Sequence, residues 1–306
     1  MDPQTRAFLD ALALADGPSI DSLPPVEGRA VFDGLTDIFL PFVQVDGVSD
    51  HQSPGGVPFR IYRPANGIEA QMPAVLYIHG GGWVLGNIGT HDTLCRHLAN
   101  ASQTVVISVD YRLAPEHPFP LPLEDCQDVL NHVAAEAKTF GLDSARLAVA
   151  GDSAGGNLAT ALAIKARDEN GPAIRLQLLV YPVIDSRCDT DSYEAFATDH
   201  GLSKQEMLWF WQCYAGDTHR AHPLASVNHT TNLSGLPPAR VLTAEYDVLR
   251  DEGEAYAKQL EAAGVPVELE RYDGLIHGFF HFGGAMDRGR EVVLETGRWL
   301  GDRLRA

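Results

Sequence analysis

The sequence predicts an α/β protein: a mostly parallel central sheet flanked by helices, with a helical cap over one end. Three observations predict it. Short β-rich apolar runs alternate with helical patterns along most of the chain, as in sheets built from crossover units. Two glycine-rich motifs stand directly after such runs. Two segments break the alternation, residues 1–45 and 185–222. These are assigned to the cap, leaving 46–184 and 223–306 as the sheet-bearing body.

Taken in order, the predicted strands are Phe59–Arg63, Ala74–His79, Thr104–Asp110, Arg146–Gly151, Leu176–Tyr181, Ala239–Ala244 and Val267–Tyr272. Helical periodicity falls at 91–101, 124–138, 155–168, 252–263 and 288–303, where apolar residues recur at three- and four-residue spacing. The first cap segment opens with an amphipathic pattern (Phe8, Leu9, Leu12) and continues through Pro18, Pro24 and Pro25. The second contains Ser203-Lys-Gln-Glu206, a capping box that starts a helix. Met207, Leu208, Trp209, Phe210, Trp211 and Tyr214 follow, too many large apolar groups for a solvated helix. Most must pack against the core or residues 1–45, and the underside can also wall a substrate pocket. Trp209 and Phe210 are the candidate substrate contacts.

Composition narrows the function. The chain of 306 residues carries a formal net charge of −18, which argues against nucleic acid and anionic membrane surfaces as partners. Only Lys138, Lys165, Lys204 and Lys258 are lysines among 23 basic residues, so the charge is Arg-biased. Cys95, Cys126, Cys188 and Cys213 are widely spaced, which supports neither a metal motif nor a disulfide framework. Met1 to Ala15 lacks the basic start and apolar run of a signal peptide. No stretch nears the roughly 18 apolar residues of a membrane span. The expectation is a cytoplasmic protein without a membrane anchor, metal or organic cofactor; a homodimer is left open.

Gly151-Asp152-Ser153-Ala154-Gly155 follows the predicted strand Arg146–Gly151 and opens a helix. A sharp strand-to-helix turn projects the side chain at its apex, here Ser153, and glycines on either side remove Cβ atoms that would clash. By itself the pentapeptide fits a plain Gly-Ser turn as well. His79-Gly80-Gly81-Gly82-Trp83 ends another predicted strand. Its glycines leave backbone N–H groups unobstructed, suited to an oxygen that acquires negative charge. No Lys-Ser/Thr follows and the G-x-G-x-x-G spacing fails, so a phosphate cradle fits poorly. Gly81, Gly82 and Ala154 are the natural donors; His79 is expected to hold the loop rather than act as a base.

A serine hydroxyl needs a base within hydrogen-bond reach, itself oriented by a carboxylate. After a nucleophile at such a turn, the acid precedes the histidine along the chain. Asp247, just past Ala239–Ala244, and His277, just past Val267–Tyr272, satisfy that order. His200, His219, His222 and His229 precede Asp247 and break it. His281, after Phe279-Phe280, reads as a packing or surface residue, and Asp251 as an acid at a helix N-terminus.

The chain resembles the hormone-sensitive-lipase-like group of α/β-hydrolases, the bacterial family IV esterases. The resemblance rests on His79-Gly-Gly-Gly-Trp83, Asp110-Tyr-Arg-Leu-Ala-Pro-Glu-His-Pro-Phe-Pro120, Gly151-Asp-Ser-Ala-Gly-Gly156, Asp247-Val-Leu-Arg-Asp-Glu-Gly253 and His277-Gly-Phe279, in family order. It implies an α/β-hydrolase fold with a cap, and a serine carboxylesterase acting on short- to medium-chain esters through an acyl-enzyme. It implies Ser153, His277 and Asp247 as the triad, with Gly81, Gly82 and Ala154 as oxyanion donors. One departure is Val248, where the family usually has Pro, which is expected to loosen that loop but to leave the carboxylate in place. Amidase, lactonase or acyltransferase activity on the same triad is the alternative. A ligand receptor on this scaffold, like the plant gibberellin receptors, fits less well because those lose the triad His.

Overall fold

The strands are built where the apolar runs lie. In the computed structural model, which describes residues 1–15, 17–35, 38–67 and 70–306, eight strands form one sheet. They are β1 (Gly47–Gln52), β2 (Pro58–Arg63), β3 (Met72–Ile78), β4 (Val105–Val109), β5 (Leu142–Asp152), β6 (Leu176–Val180), β7 (Ala239–Tyr246) and β8 (Val267–Ile276). The spatial order is β1-β2-β4-β3-β5-β6-β7-β8, antiparallel from β1 to β4 through β2 and parallel elsewhere. The parallel, buried strands are the ones the apolar runs predict. β1 was not expected. Its sequence, Gly-Val-Ser-Asp-His-Gln, is polar and largely exposed, and it pairs as an edge strand with β2.

Alternate residues of each inner strand feed two cores, one on each face of the sheet. In β3, Ala74, Leu76 and Ile78 join the cluster with α4 (Leu121–Ala135), α5 (Ala154–Asp168) and α9 (Arg250–Ala262). Val75 and Tyr77 join the other, with α3 (Asp92–Ser102) and α10 (Asp287–Arg305). All four cysteines are free thiols, three buried and Cys213 half-buried.

The segments that interrupt the alternation form short helices: α1 (Pro3–Leu14), α2 (Pro25–Asp33), α6 (Asp191–Ala195), α7 (Lys204–Tyr214) and α8 (Gly216–His219). Helix α1 starts at Asp2, whose carboxylate accepts the N–H groups of Gln4 and Thr5. It buries Phe8 and Leu9 and leaves Leu12 43% exposed. The capping box predicted for α7 forms: Ser203 Oγ accepts the Glu206 N–H at 3.1 Å, and the Glu206 carboxylate accepts the Ser203 N–H at 2.8 Å. Met207, Phe210, Trp211 and Tyr214 are buried, and α7 packs on the turn Ile20–Ser22 of the N-terminal segment. Among the described residues, no helix is long and apolar enough to cross a membrane.

Candidate active site

Strand order brings the two glycine motifs together. The chain runs from β3 outward to β4 and then returns to β5 on the other side of β3, so β3 and β5 flank the switch in direction. Open α/β sheets carry their sites at the carboxyl ends of strands flanking such a switch. The loop at His79 leaves β3, and Ser153 follows β5.

Ser153 occupies a conformation that L-residues avoid, φ 55° and ψ −119°. Such backbone costs about 1–3 kcal/mol and persists only where its surroundings determine it. Here they do: the Ser153 N–H donates to the Val180 carbonyl at 2.9 Å, and its own carbonyl accepts from Asn157 (3.1 Å) and Val183 (3.2 Å). Helix α5 then starts almost in contact with the end of β3. A Cβ on Gly155 would overlap the Ile78 carbonyl oxygen, so only glycine lets the helix approach this closely. Gly155→Ala is therefore expected to destabilise the protein by about 3 kcal/mol or more. Thermal unfolding checks this; an unchanged midpoint would refute the close packing.

His277, one residue past β8, places Nε2 3.0 Å from Ser153 Oγ. Its Nδ1 lies 2.8 Å from Asp247 Oδ2. The Asp247 carboxylate is buried, and its other oxygen accepts the Leu249 N–H at 2.9 Å. That bond closes the turn in which Val248 stands. Val248 is fully buried and its carbonyl accepts the Ser192 hydroxyl at 2.7 Å, so the turn is held without the usual proline. Three residues far apart in the chain thus form one relay. Sequence reasoning did not single out Tyr181, whose ring centroid lies 4.5 Å from that of His277. It follows β6 beside the serine strand and walls the imidazole on one side.

The rivals are engaged with other partners. His281 is buried, donates Nε2–H to the Thr90 carbonyl (2.8 Å) and stacks on His91 and Phe39 at 4.1 Å. Burial pushes its pKa down to about 3. Asp251 accepts the Ser192 N–H at 2.8 Å and pairs with Arg250. His79 donates Nδ1–H to the Gly80 carbonyl (2.8 Å) and stacks on Tyr111; burial pushes its pKa to about 3. It braces the loop, as its position in the motif suggests.

Gly81, Gly82 and Trp83 have successive φ values of 113°, 60° and 61°. This left-handed run is open to glycine and strained for Trp83. The Trp83 indole, fully buried, stacks on Tyr214 of α7 at 4.2 Å and 3°. The Gly81 carbonyl accepts from Val84 (3.1 Å) and Leu85 (2.8 Å). At the loop's start, Asp152 Oδ1 accepts the Tyr77 hydroxyl (2.8 Å) and the Gly80 N–H (3.1 Å). Burial works to raise the Asp152 carboxyl, but neighbouring His91 and the Tyr77 bond hold it well below the usual carboxylate range. Ala154 is the first residue of α5, so its N–H has no intrahelical acceptor and lies at the positive end of the helix dipole.

A mostly apolar cavity of about 490 Å³ covers Ser153 and His277. Phe8, Ile20 and Phe32 come to it from the N-terminal segment, Met207 and Phe210 from α7, and Tyr181 and Phe282 from the sheet body. Phe210 lies so close to Gly82 that any side chain there would overlap its ring. Trp209 does not line the cavity. It packs half-buried beside the core, its ring 5.1 Å from Phe210, because consecutive helical residues point about 100° apart.

Comparison with known proteins bears on the fold and the family. A family model described as alpha/beta hydrolase fold matches residues 75–281. The chain is 39% identical over 286 residues to carboxylesterase NlhH of Mycobacterium tuberculosis, covering 92% of this chain and 82% of that protein. It is 41% identical over 246 residues to an ethyl acetate hydrolase of Pseudomonas putida, covering 78% and 77% respectively. An ester hydrolase from the metagenome of Lake Arreo, solved with a bipyridine phosphonate derivative, superposes with a TM-score of 0.96 at 41% identity, covering 100% of both chains. With the motif loops, the sheet order and these likenesses in agreement, the chain belongs to the hormone-sensitive-lipase-like group of the α/β-hydrolase fold family.

Proposed function

We propose that this protein is a serine carboxylic ester hydrolase that works through an acyl-enzyme on Ser153. The observation that carries the reading is the relay from Ser153 Oγ through His277 to Asp247, with contacts of 3.0 and 2.8 Å, beneath an apolar cavity. His277 Nε2 takes the hydroxyl proton as Ser153 Oγ bonds to the ester carbonyl carbon. The negative oxygen of the tetrahedral intermediate faces the N–H groups of Gly81, Gly82 and Ala154. Collapse breaks the bond to the alcohol oxygen, which leaves with the proton from His277. Water repeats the cycle on the acyl-enzyme, releasing the acid and restoring Ser153. Asp247 keeps the proton of neutral His277 on Nδ1 and stabilises the imidazolium in both halves.

Residues 1–45 and 185–222 act as the cap in this reading, since both supply cavity walls. The cavity of about 490 Å³ suits one compact, uncharged acyl or alcohol group, and the likeness to an ethyl acetate hydrolase supports a short- to medium-chain preference. A fluorophosphonate probe is expected to modify one residue, mapped to Ser153 by peptide mass spectrometry. No labelling of the folded protein would sink the assignment. Across p-nitrophenyl esters from acetyl to palmitoyl, kcat/KM is expected to peak at short or medium acyl groups; a maximum at palmitoyl would overturn that preference.

A further inference from the structure

The oxyanion loop reaches the N-terminal segment through one side chain. Arg29, on α2, donates Nε–H to the Val84 carbonyl at 2.8 Å and an Nη2 proton to the Ala114 carbonyl at 2.9 Å. The Ala114 N–H in turn donates to the Trp83 carbonyl at 2.9 Å. Glu116 accepts from both terminal nitrogens, at 2.6 and 3.0 Å, and fixes the plane of the guanidinium. One residue earlier, Gly28, the buried residue of α2, abuts the Leu85 side chain.

These contacts fall on the part of the loop that most needs support. Gly81, Gly82 and Trp83 hold three successive positive φ angles, and Val84 and Leu85 close the turn back onto the Gly81 carbonyl. Stacking of Trp83 on Tyr214 fixes a side chain, whereas Arg29 fixes the backbone. A planar fork that meets two carbonyls and a carboxylate together is a role lysine cannot fill.

We propose that Arg29 is a positioning residue: it clamps the Trp83–Val84 backbone and so holds the N–H groups of Gly81 and Gly82 in donor geometry. The N-terminal segment then contributes to turnover as well as to the cavity wall. The inference rests on the reading of Gly81 and Gly82 as oxyanion donors.

The test compares a substrate with a mimic of the tetrahedral state, because a misplaced oxyanion site weakens the second more than the first. In Arg29→Ala, kcat for p-nitrophenyl butanoate is expected to fall about tenfold, less than the ~10² that an ångström of misplacement can cost. The Ki of an aliphatic trifluoromethyl ketone, whose Ser153 adduct carries an oxyanion, is expected to rise by a similar factor, with KM within about twofold. Arg29→Lys should fall between wild type and Arg29→Ala. Because Arg29 borders an open polar cavity of about 450 Å³, guanidinium ion can reach the vacated place. Dilute guanidinium should restore part of the activity of Arg29→Ala and none to wild type. A folded Arg29→Ala with unchanged kcat and Ki, and only a lower melting temperature, would overturn the proposal. Should that variant fail to fold, Arg29→Lys with wild-type kcat and Ki would do the same. If the ketone does not inhibit wild type, the ester-hydrolase reading itself is what fails.

Discussion

Replacing Ser153 with alanine is expected to lower kcat for p-nitrophenyl esters by roughly a millionfold, and His277→Ala by a similar factor. The double variant should lose no more than either single one, because nucleophile and base act as a unit. The geometry explains the coupling. With Nε2 3.0 Å from Oγ, that nitrogen has a nucleophile to deprotonate only while the hydroxyl is there. Alone, either group cannot open the acyl path. Each variant should keep the wild-type melting temperature to within a few degrees, since Ser153 and His277 contribute side-chain chemistry and the elbow backbone is held by main-chain bonds to Val180, Asn157 and Val183. Steady-state rates with active-site titration check this. Full turnover in a folded Ser153→Ala would remove the serine from the mechanism, and additive losses in the double variant would show that the two residues act separately.

Much of this site was legible in the sequence, because its decisive constraints are local. A serine flanked by glycines after an apolar run, and three glycines after another, are dictated by backbone sterics at single positions. The placing of Asp247 and His277 was legible for a different reason: each follows its own predicted strand, and chain order sets aside His200, His219, His222 and His229, though not His281. What escaped depends on long-range docking. β1 carries no apolar pattern because it is an exposed edge strand held by pairing with β2 alone. Trp209 and Phe210 are equally aromatic neighbours, and only the way α7 docks decides that Phe210 faces Gly82 and Trp209 does not. Arg29 is one arginine in a Pro-containing segment, and its acceptors lie 55 and 85 residues further along the chain. No local signal marks such a contact.

Asp247→Asn is expected to lower kcat by about 10⁴, close to 5 kcal/mol of transition-state stabilisation, while leaving the fold intact. The direction follows from the two bonds of the carboxylate. Oδ1 accepts the Leu249 N–H at 2.9 Å, and Oδ2 faces His277 Nδ1 at 2.8 Å. An asparagine here must keep its carbonyl oxygen toward Leu249, because an amide NH₂ cannot accept that backbone proton. The NH₂ group is thereby turned toward His277, where it donates to Nδ1. The imidazole then carries its proton on Nε2, facing Ser153, and cannot take the hydroxyl proton. The buried site also loses the negative charge that stabilises the imidazolium. Asp251→Asn is the matched control: that carboxylate serves Ser192 and Arg250, so its removal should leave kcat within about threefold, a stability effect on α9 rather than a catalytic one. Rates of the two variants, with melting temperatures measured alongside, decide between the carboxylates. A loss below tenfold in Asp247→Asn would mean that the imidazole is oriented by its other neighbour, the Tyr181 ring 4.5 Å away, and that the buried carboxylate mainly secures the Leu249 turn.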